Sequence, residues 1–421
     1  AKRDMHYEME QEEHDVYPDD PDFDINKARL VTTAPRICVR YECVPMRFIK
    51  HVYRIHTYAQ DGRLFEGKTP VSAFLNSSYD GSFIAGLMEL RYIQSLPVER
   101  IINYFESHGF TLKKPTAHKL MEKASSLFEN LYKCIRQTAL SDPYKAADET
   151  YYKILVPEKN SKGKGVRKGY LWVVVGINTR MIYLLYDDGS RSEKVILNEL
   201  GGCKGIIQSD GYSPYRKLES DAYPHITRIP CLQHIKRKFI DCGEDEPDAK
   251  RIVELINTLY QNEHKHKIGV DGWTVEQNLV HRKKYAPDIL GEIKDVLDDI
   301  EERGDLLPKS ELKEAVTYLR NEWNAVVDIF NYGDTYLDNN IVERMNRYIS
   351  LSRKNSLFFG SHKGAERGAI LYTIALTCRM NKVNLFEYLT DVINRTAEWQ
   401  PNTPLEKYRQ LLPDRWEKAN D

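Results

Sequence analysis

Three acidic positions combine residue types and spacing that suit metal-dependent chemistry on phosphate. Asp148 lies in a segment that predicts the first strand of a sheet, Asp210 ends a short apolar strand, and Glu343 lies near the start of a predicted helix. Carboxylate oxygens suit Mg²⁺ or Mn²⁺ better than zinc. Two such ions, about 3.5–4 Å apart, can activate an attacking oxygen and stabilise a leaving oxygen in phosphoryl transfer. We therefore predict two Mg²⁺ or Mn²⁺ ions at these carboxylates, and no zinc.

Each of these positions also has an ordinary structural explanation. Surface carboxylates are commonplace. Asn340 followed three residues later by Glu343 fits a capping box, in which the glutamate only closes the start of a helix. Glu149 stands beside Asp148, and because neighbours on a strand point to opposite faces, only one of the two can face the metal ions.

The elements that must position these residues follow a mixed α/β pattern. Residues 143–242 predict strands near 148–156, 171–177, 181–186, 205–208 and 226–229, with helices near 194–200 and from Leu232. This order indicates a mixed sheet with helical cover. Apolar residues recur at helical spacing across residues 243–335, which predicts an all-helical insertion outside the sheet. Residues 336–399 then supply the second part of the core with the Glu343 helix, and 400–421 a C-terminal tail.

The region before the sheet divides into three parts. Residues 1–30 are rich in Asp, Glu and Pro, a composition that predicts a flexible acidic arm. Alternation in residues 31–75, for example at Val52, Arg54 and His56, predicts a small β module with a turn at Asp61-Gly62. Residues 76–142 read as helices broken at Gly109, a helix-turn-helix-like region that we expect to bind DNA.

Composition limits the classes of protein that remain. The 61 Lys and Arg against 62 Asp and Glu give a net charge of -1, which excludes a uniformly basic coat but leaves local basic faces open. Seven scattered cysteines indicate a reducing compartment rather than a disulfide framework. No apolar run approaches membrane-spanning length and no signal pattern opens the chain, so we expect a cytoplasmic protein without a membrane partner. The first residue is Ala rather than Met, as in a mature or truncated chain.

Several motifs in one order resemble the insertion sequence 66 family of bacterial transposases. The resemblance covers about residues 79–398 and is carried by Gln208-Ser209-Asp210-Gly211-Tyr212, by residues 231–239 and 338–344, and by Ser352-Arg353-Lys354-Asn355 and Phe359-Gly360-Ser361. It implies an Asp-Asp-Glu transposase with a ribonuclease-H-like fold that a helical insertion interrupts. The family's acidic triad maps to Asp148, Asp210 and Glu343.

The resemblance also implies roles for residues around the triad. Cys231 and His234 resemble a Cys-x2-His element whose imidazole lies near the active site; alternatively, Cys231 only ends a buried strand and His234 makes a local hydrogen bond. Basic residues that flank the triad motifs are expected to grip DNA phosphates, although an ordinary solvated helix face would have the same composition. They are Lys236, Arg237, Lys238, Arg344, Arg347, Arg353 and Lys354.

One departure from the family concerns zinc. Family members usually carry a zinc ribbon with two Cys-x2-Cys pairs ahead of the strands, and this sequence has no such pair. Cys38, Cys43, His51 and His56 offer ligand types, but packing explains their positions better, so we expect a remnant of the ribbon without zinc. The usual end-recognition part is then lost, reshaped or outside this chain.

The expected function is metal-dependent DNA cleavage and strand transfer of an insertion sequence. Its expected partners are double-stranded DNA, as transposon ends and target, and a second copy of the chain in a homo-oligomer on that DNA. Two alternatives share much of the pattern: a DNA-binding protein of transposase descent that recognises ends without cutting, and a metal-dependent nuclease that cuts without joining.

Overall fold

The computed structural model describes residues 46–418 apart from 53, 55, 61–62, 67–71, 75–76, 160–162, 164, 305 and 401. Contacts divide the chain after Arg47, and the second unit, Phe48–Asp421, contains every element named below. The acidic arm expected at residues 1–30, and Cys38 and Cys43 of the possible zinc set, lie outside the described residues.

Seven strands form a hairpin and a larger sheet. The hairpin consists of β1 (Thr57–Gln60) and β2 (Arg63–Glu66), which pair antiparallel. The five-stranded sheet contains β3 (Tyr144–Leu155), β4 (Val166–Gly176), β5 (Met181–Leu185), β6 (Gly205–Ser209) and β7 (Ile226–Pro230), in the order β5-β4-β3-β6-β7. Strands β3, β4 and β5 form an antiparallel meander, whereas β6 runs parallel to both β3 and β7. The mixed sheet expected from the sequence is therefore present.

Helices precede, cover and interrupt the sheet. Before it lie α1 (Gly81–Met88), which continues into a π-helical turn, α2 (Val98–Ser107), α3 (Lys114–Leu127) and α4 (Glu129–Ser141). Within it lie α5 (Glu193–Leu200), α6 (Ser213–Arg216) and α7 (Leu232–Ile240). The others are α8 (Pro247–Glu263), α9 (Val275–Arg303), α10 (Glu311–Ile329), α11 (Asn340–Asn355), α12 (His362–Met380), α13 (Leu385–Thr396) and α14 (Leu405–Arg409). In the described part of the chain, none of these helices has the length and apolar content needed to cross a membrane.

The edge strand β5 is covered by helix α12. The side chain of Thr373 accepts a hydrogen bond from Leu184 N at 2.9 Å, and Thr377 donates one to Ile182 O at 2.8 Å. An open strand edge leaves backbone groups unpaired, and a covering helix with hydroxyl side chains satisfies them. Helix α12 is therefore packed against the meander of β3, β4 and β5.

The helical insertion packs directly on the sheet. Described residues between 243 and 335 contain α8, α9 and α10 and no strand. One hydrophobic cluster joins Ile206 of β6 and Ile229 of β7 to insertion residues such as Ile256, Leu297 and Leu319. The expectation of a helical insertion that adds no strand to the sheet is therefore confirmed for the described residues, and its amphipathic helices bury part of their apolar faces on β6 and β7.

The region before the sheet differs from one expectation, and the C-terminal tail contains a further helix. Val52, Arg54 and His56, expected in a strand, belong to none, and all three are exposed, Val52 to 69 %, so these described positions offer no buried face to support pairing. The expected tail from residue 400 contains α14 and packs on the protein, since Leu412 is buried and Tyr388 Oη donates to Leu411 O at 2.7 Å.

Candidate active site

Asp148 and Asp210 are neighbours on adjacent parallel strands. In the β3–β6 pair Ala146 is in register with Gln208, and two residues further on each chain lie Asp148 and Asp210. Side chains repeat on one face every two residues, and paired strands run about 4.8 Å apart. Strand β6 ends at Ser209, so the two carboxylates meet at the carboxyl end of the parallel pair.

Asp148 is a carboxyl group whose surroundings disfavour its charged form. Burial, and then the charges of Glu149 and Asp210, raise the pKa of Asp148 to about 8. Its Oδ1 accepts a hydrogen bond from Glu149 N at 2.8 Å, and its Oδ2 accepts one from Asn346 Nδ2 at 2.7 Å. A divalent cation between the carboxylates would stabilise the charged forms that burial and repulsion now oppose.

Helix α11, which carries Glu343, is fastened to Asp148 of β3 through Asn346. Asn346, which bonds to Asp148, lies three residues after Glu343 and therefore on the same face of the helix. Glu343 Oε1 and Asn346 Oδ1 are buried and have no hydrogen-bond partner among the described residues. Buried oxygens without partners are uncommon, and a bound ion satisfies them. The oxygen donors present thus fit Mg²⁺ or Mn²⁺.

The start of α11 excludes the capping-box explanation of Glu343. The helix begins at Asn340, and the residue before it, Asn339, makes no side-chain capping bond. Asn339 Nδ2 donates instead to Ala147 O at 3.0 Å, while Asp338 Oδ1 accepts from Asn340 N at 3.1 Å. Asn339 therefore fastens α11 to β3, and the Glu343 side chain is not used in a helix cap.

Glu149 is buried away from solvent. Its side chain is 5 % exposed, pairs with Arg191 and accepts a hydrogen bond from Tyr215 Oη at 3.4 Å. Burial raises the pKa of Glu149, and the ion pair with Arg191 opposes that rise. The guanidinium of Arg191 also lies 4.1 Å from the ring centroid of Tyr212, so it is held beside the turn that carries Asp210.

Cys231 and His234 lie at the start of α7, beside Glu343. Cys231 is 1 % exposed, and its Sγ accepts a hydrogen bond from Asn339 N at 3.2 Å. Burial raises the pKa of this thiol to about 11. His234 Nε2 lies 3.8 Å from Glu343 Oε1, and the ring's Nδ1 is buried without a hydrogen-bond partner among the described residues. The imidazole thus faces the glutamate, and the local ring hydrogen bond considered above is absent among the described residues.

One ligand atom from each of Cys231, His234 and Glu343 lies within 4.8 Å of the others. Thiol, imidazole and carboxylate together would suit zinc better than Mg²⁺. Burial raises the pKa of the Cys231 thiol, however, which disfavours the thiolate form that zinc binds, and its sulfur already accepts a backbone hydrogen bond. That no zinc binds at these residues stays a prediction.

The seven expected DNA-binding cations lie on the same two helices as His234 and Glu343. Arg353 is held by the sheet, because its guanidinium donates to Thr150 Oγ1 and Tyr151 O and lies 4.1 Å from the Tyr151 ring centroid. The other six form no ion pair with any described residue. They are Lys236, Arg237 and Lys238 on α7, and Arg344, Arg347 and Lys354 on α11.

Three residues at the site were missed from the sequence: Asn346, Arg191 and Tyr318. Asn346 had a usable signal, since a residue three positions after Glu343 shares its helix face. Arg191 lies in the segment between β5 and α5. Tyr318 lies on α10 of the insertion, and its ring centroid is 6.0 Å from Lys238 Nζ. Nothing in the local pattern of either residue predicts a contact with the Asp210 turn.

Comparison with known proteins gives one family and several relatives. The sequence profile described as "Transposase IS66 family" matches residues 76–367. Three uncharacterized proteins of Sinorhizobium fredii are similar: y4jD is 25 % identical over 79 % of this chain, y4hP 24 % over 94 %, and y4qI 26 % over 87 %. These matches span 65 %, 76 % and 69 % of the respective relatives, so the chain spans about two thirds of the first of them.

Proposed function

The chain belongs to the IS66 family of transposases, and we propose that it is an Asp-Asp-Glu enzyme that cuts DNA at the ends of an insertion sequence and joins those ends to a target. One observation carries the proposal. Asp148 and Asp210 lie side by side where the parallel pairing of β3 with β6 ends, and the Asn346 bond to Asp148 fastens the Glu343 helix to β3.

The order of the strands supports a ribonuclease-H-like core. A three-stranded antiparallel meander is extended by two strands parallel to its first strand, in the order β5-β4-β3-β6-β7. The first strand of this sheet carries Asp148, the fourth strand leads into Asp210, and a later helix carries Glu343. Here those elements are β3, β6 and α11.

The chemistry is phosphoryl transfer in two displacements. Water attacks a phosphodiester at the transposon end and releases a 3′-hydroxyl, and that hydroxyl then attacks a target phosphate and displaces the target's 3′ oxygen. Divalent ions held by Asp148, Asp210 and Glu343 would supply the charge stabilisation that each displacement needs. Asn346 orients the Asp148 carboxylate, and the cations of α7 and α11 hold the DNA phosphates.

The cations of α7 and α11 are proposed to bind the DNA backbone. Six of them lack ion-pair partners among the described residues, so binding a phosphate would not require an existing pair to break. Phosphate contacts fix the position of a duplex without reading its sequence. End recognition is proposed for the helices between 76 and 142, and a second copy of the chain for assembly of two ends.

A supercoiled plasmid that carries both ends of the element tests the proposal against its alternatives. In Mg²⁺ the proposed enzyme should produce cleaved plasmid and then joined products, and the Asp210→Asn variant neither. Cleavage without any joined product would indicate a nuclease. An unchanged plasmid, shifted in a gel by bound protein, would indicate a DNA-binding protein that does not cut.

A further inference from the structure

The turn that carries Asp210 is held on one side by the insertion. The backbone N–H of Gly211 donates a hydrogen bond to Tyr318 Oη of α10 at 2.8 Å. A Cβ at position 211 would lie 2.6 Å from two ring carbons of Tyr318, and Gly211 is not among the glycines with positive φ. Space for the Tyr318 ring, rather than backbone conformation, therefore requires the glycine that follows Asp210.

Helix α10 also holds the other side of the Asp210 turn, through Arg228 of β7. The Arg228 guanidinium donates to Asp210 O at 3.2 Å and pairs with Glu322 of α10 and with Glu219. The side chains of Arg228 and Glu322 are both 0 % exposed. Tyr318 and Glu322 are four residues apart, so one face of α10 makes both contacts.

The direction of the Asp210 carboxylate depends on this support. Among the described residues, only Tyr212 N, at 3.1 Å, donates a hydrogen bond to that carboxylate, and Tyr212 belongs to the same turn. Within the described part of the chain, no side chain outside the turn donates a hydrogen bond to it. A metal ligand must be held to within about 0.5 Å of its working position by the groups around it. The backbone of the turn, and hence α10, must supply that precision.

We infer that Tyr318 and Glu322 are positioning residues, through which the helical insertion sets the Asp210 carboxylate for metal binding. The inference rests on the proposed function only in taking Asp210 as a metal ligand. It gives the insertion a role at the reaction centre although none of its residues is a proposed ligand. The fold around the turn should survive loss of the Tyr318 hydroxyl, because the ring continues to pack on Gly211.

Binding of Mn²⁺ to the full-length protein, followed by the electron paramagnetic resonance of free Mn²⁺, provides the test. Tyr318→Phe leaves the buried Gly211 N–H without its acceptor and should raise the Kd for Mn²⁺ about fivefold. Glu322→Gln should weaken Mn²⁺ binding further, with a lower melting temperature, since it removes the fully buried one of the two carboxylates that compensate Arg228. In cleavage assays, the Mg²⁺ concentration at half-maximal rate should rise for Tyr318→Phe, while the KM for DNA stays unchanged.

The matched control is Tyr332→Phe. Tyr332 Oη donates to Thr227 Oγ1 at 3.4 Å, so it joins the segment after α10 to β7 without contacting the Asp210 turn. This variant should bind Mn²⁺ as the parent does. Parental Mn²⁺ affinity in Tyr318→Phe, or equal weakening in both tyrosine variants, would overturn the positioning role.

Asp210→Asn separates this inference from the proposed function. If Asp210→Asn loses Mn²⁺ affinity and Tyr318→Phe does not, only the positioning role fails. If Asp210→Asn binds Mn²⁺ like the parent, Asp210 is not a ligand, and both proposals fail. If both variants bind weakly but the parent never cleaves DNA, the positioning role is supported and the proposed function fails.

Discussion

Asn346 Nδ2 donates a 2.7 Å hydrogen bond to Asp148 Oδ2 and thereby fastens the Glu343 helix to the strand of the first aspartate. The amide oxygen of Asn346 stays buried without a partner among the described residues. Asn346 thus orients the Asp148 carboxylate through its amide nitrogen and presents its amide oxygen beside that carboxylate. This arrangement explains how a helix that begins 130 residues after Asp210 reaches the acidic pair.

Asn346→Ala should lower cleavage by about 10- to 100-fold, the effect typical of losing a residue that orients a metal ligand. The loss should be accompanied by a rise in the Mg²⁺ concentration needed for half-maximal rate, because Asp148 is no longer aligned. Asn340→Ala, at an exposed position on the same helix, is the control and should behave like the parent. Full activity of Asn346→Ala at low Mg²⁺ would remove Asn346 from the site.

Asp148→Asn should stabilise the metal-free protein, and more so as pH rises. Folding raises the pKa of Asp148 to about 8, so between that pH and the ordinary value near 4 the folded state holds a proton that the unfolded state has released. Parental stability therefore falls as pH rises through this window. Melting temperatures in EDTA should differ more at pH 8 than at pH 5. A variant that melts below the parent at pH 8 would show that Asp148 serves a structural bond.

Arg353→Ala and Lys354→Ala should have different effects although they are neighbours. Lys354 is exposed and unpaired, so its loss should reduce the slope of log affinity for DNA against log salt by about 0.9 per lost phosphate contact. Arg353→Ala should in addition lower the free energy of unfolding by about 1–2 kcal/mol, because Thr150 and Tyr151 lose their contacts with it. Salt-dependent binding and denaturant unfolding measure the two effects. Identical unfolding of both variants would contradict the prediction.

We expect Cys231 to be needed for stability and His234 to be needed for cleavage. Cys231→Ala leaves the Asn339 N–H without an acceptor and should cost about 1–3 kcal/mol of stability, which Cys231→Ser restores in part. His234→Ala should retain stability and lose cleavage, since the imidazole lies beside Glu343. Added zinc should leave the parent's melting temperature unchanged. A zinc-dependent rise that Cys231→Ala abolishes would establish a metal site there instead.

The strands of the sheet were predictable because each apolar run ends in turn residues. The strand expected at residues 181–186 is Met181–Leu185, and that expected at 226–229 is Ile226–Pro230. Strand β3 begins at Tyr144, before the start expected at residue 148. Its first residues include Lys145, a polar residue that can be buried because its Nζ donates hydrogen bonds to the Asp142 and Lys204 carbonyls. Periodicity cannot identify a buried lysine whose partners lie on other segments.

The acidic residues of the site could be predicted from the sequence, but the residues that hold them in place could not. Asp210 could be placed because it ends an apolar strand, and its register with Asp148 follows from parallel pairing. The contacts of Tyr318 and Arg228 with the same turn join segments that are far apart in sequence, so local pattern contains no trace of them. Tertiary packing, rather than propensity, determines such contacts.

The central claim is tested most directly by single-turnover cleavage of end-bearing DNA by Glu343→Gln in Mg²⁺. The substitution keeps the shape of the side chain and removes its charge, so the melting temperature and DNA affinity should stay close to those of the parent. We expect the rate to fall by about a thousandfold or more, because an acidic ligand of the metal centre is lost. Cleavage by Glu343→Gln at the parental rate would contradict the assignment of Asp148, Asp210 and Glu343 as one metal-binding triad.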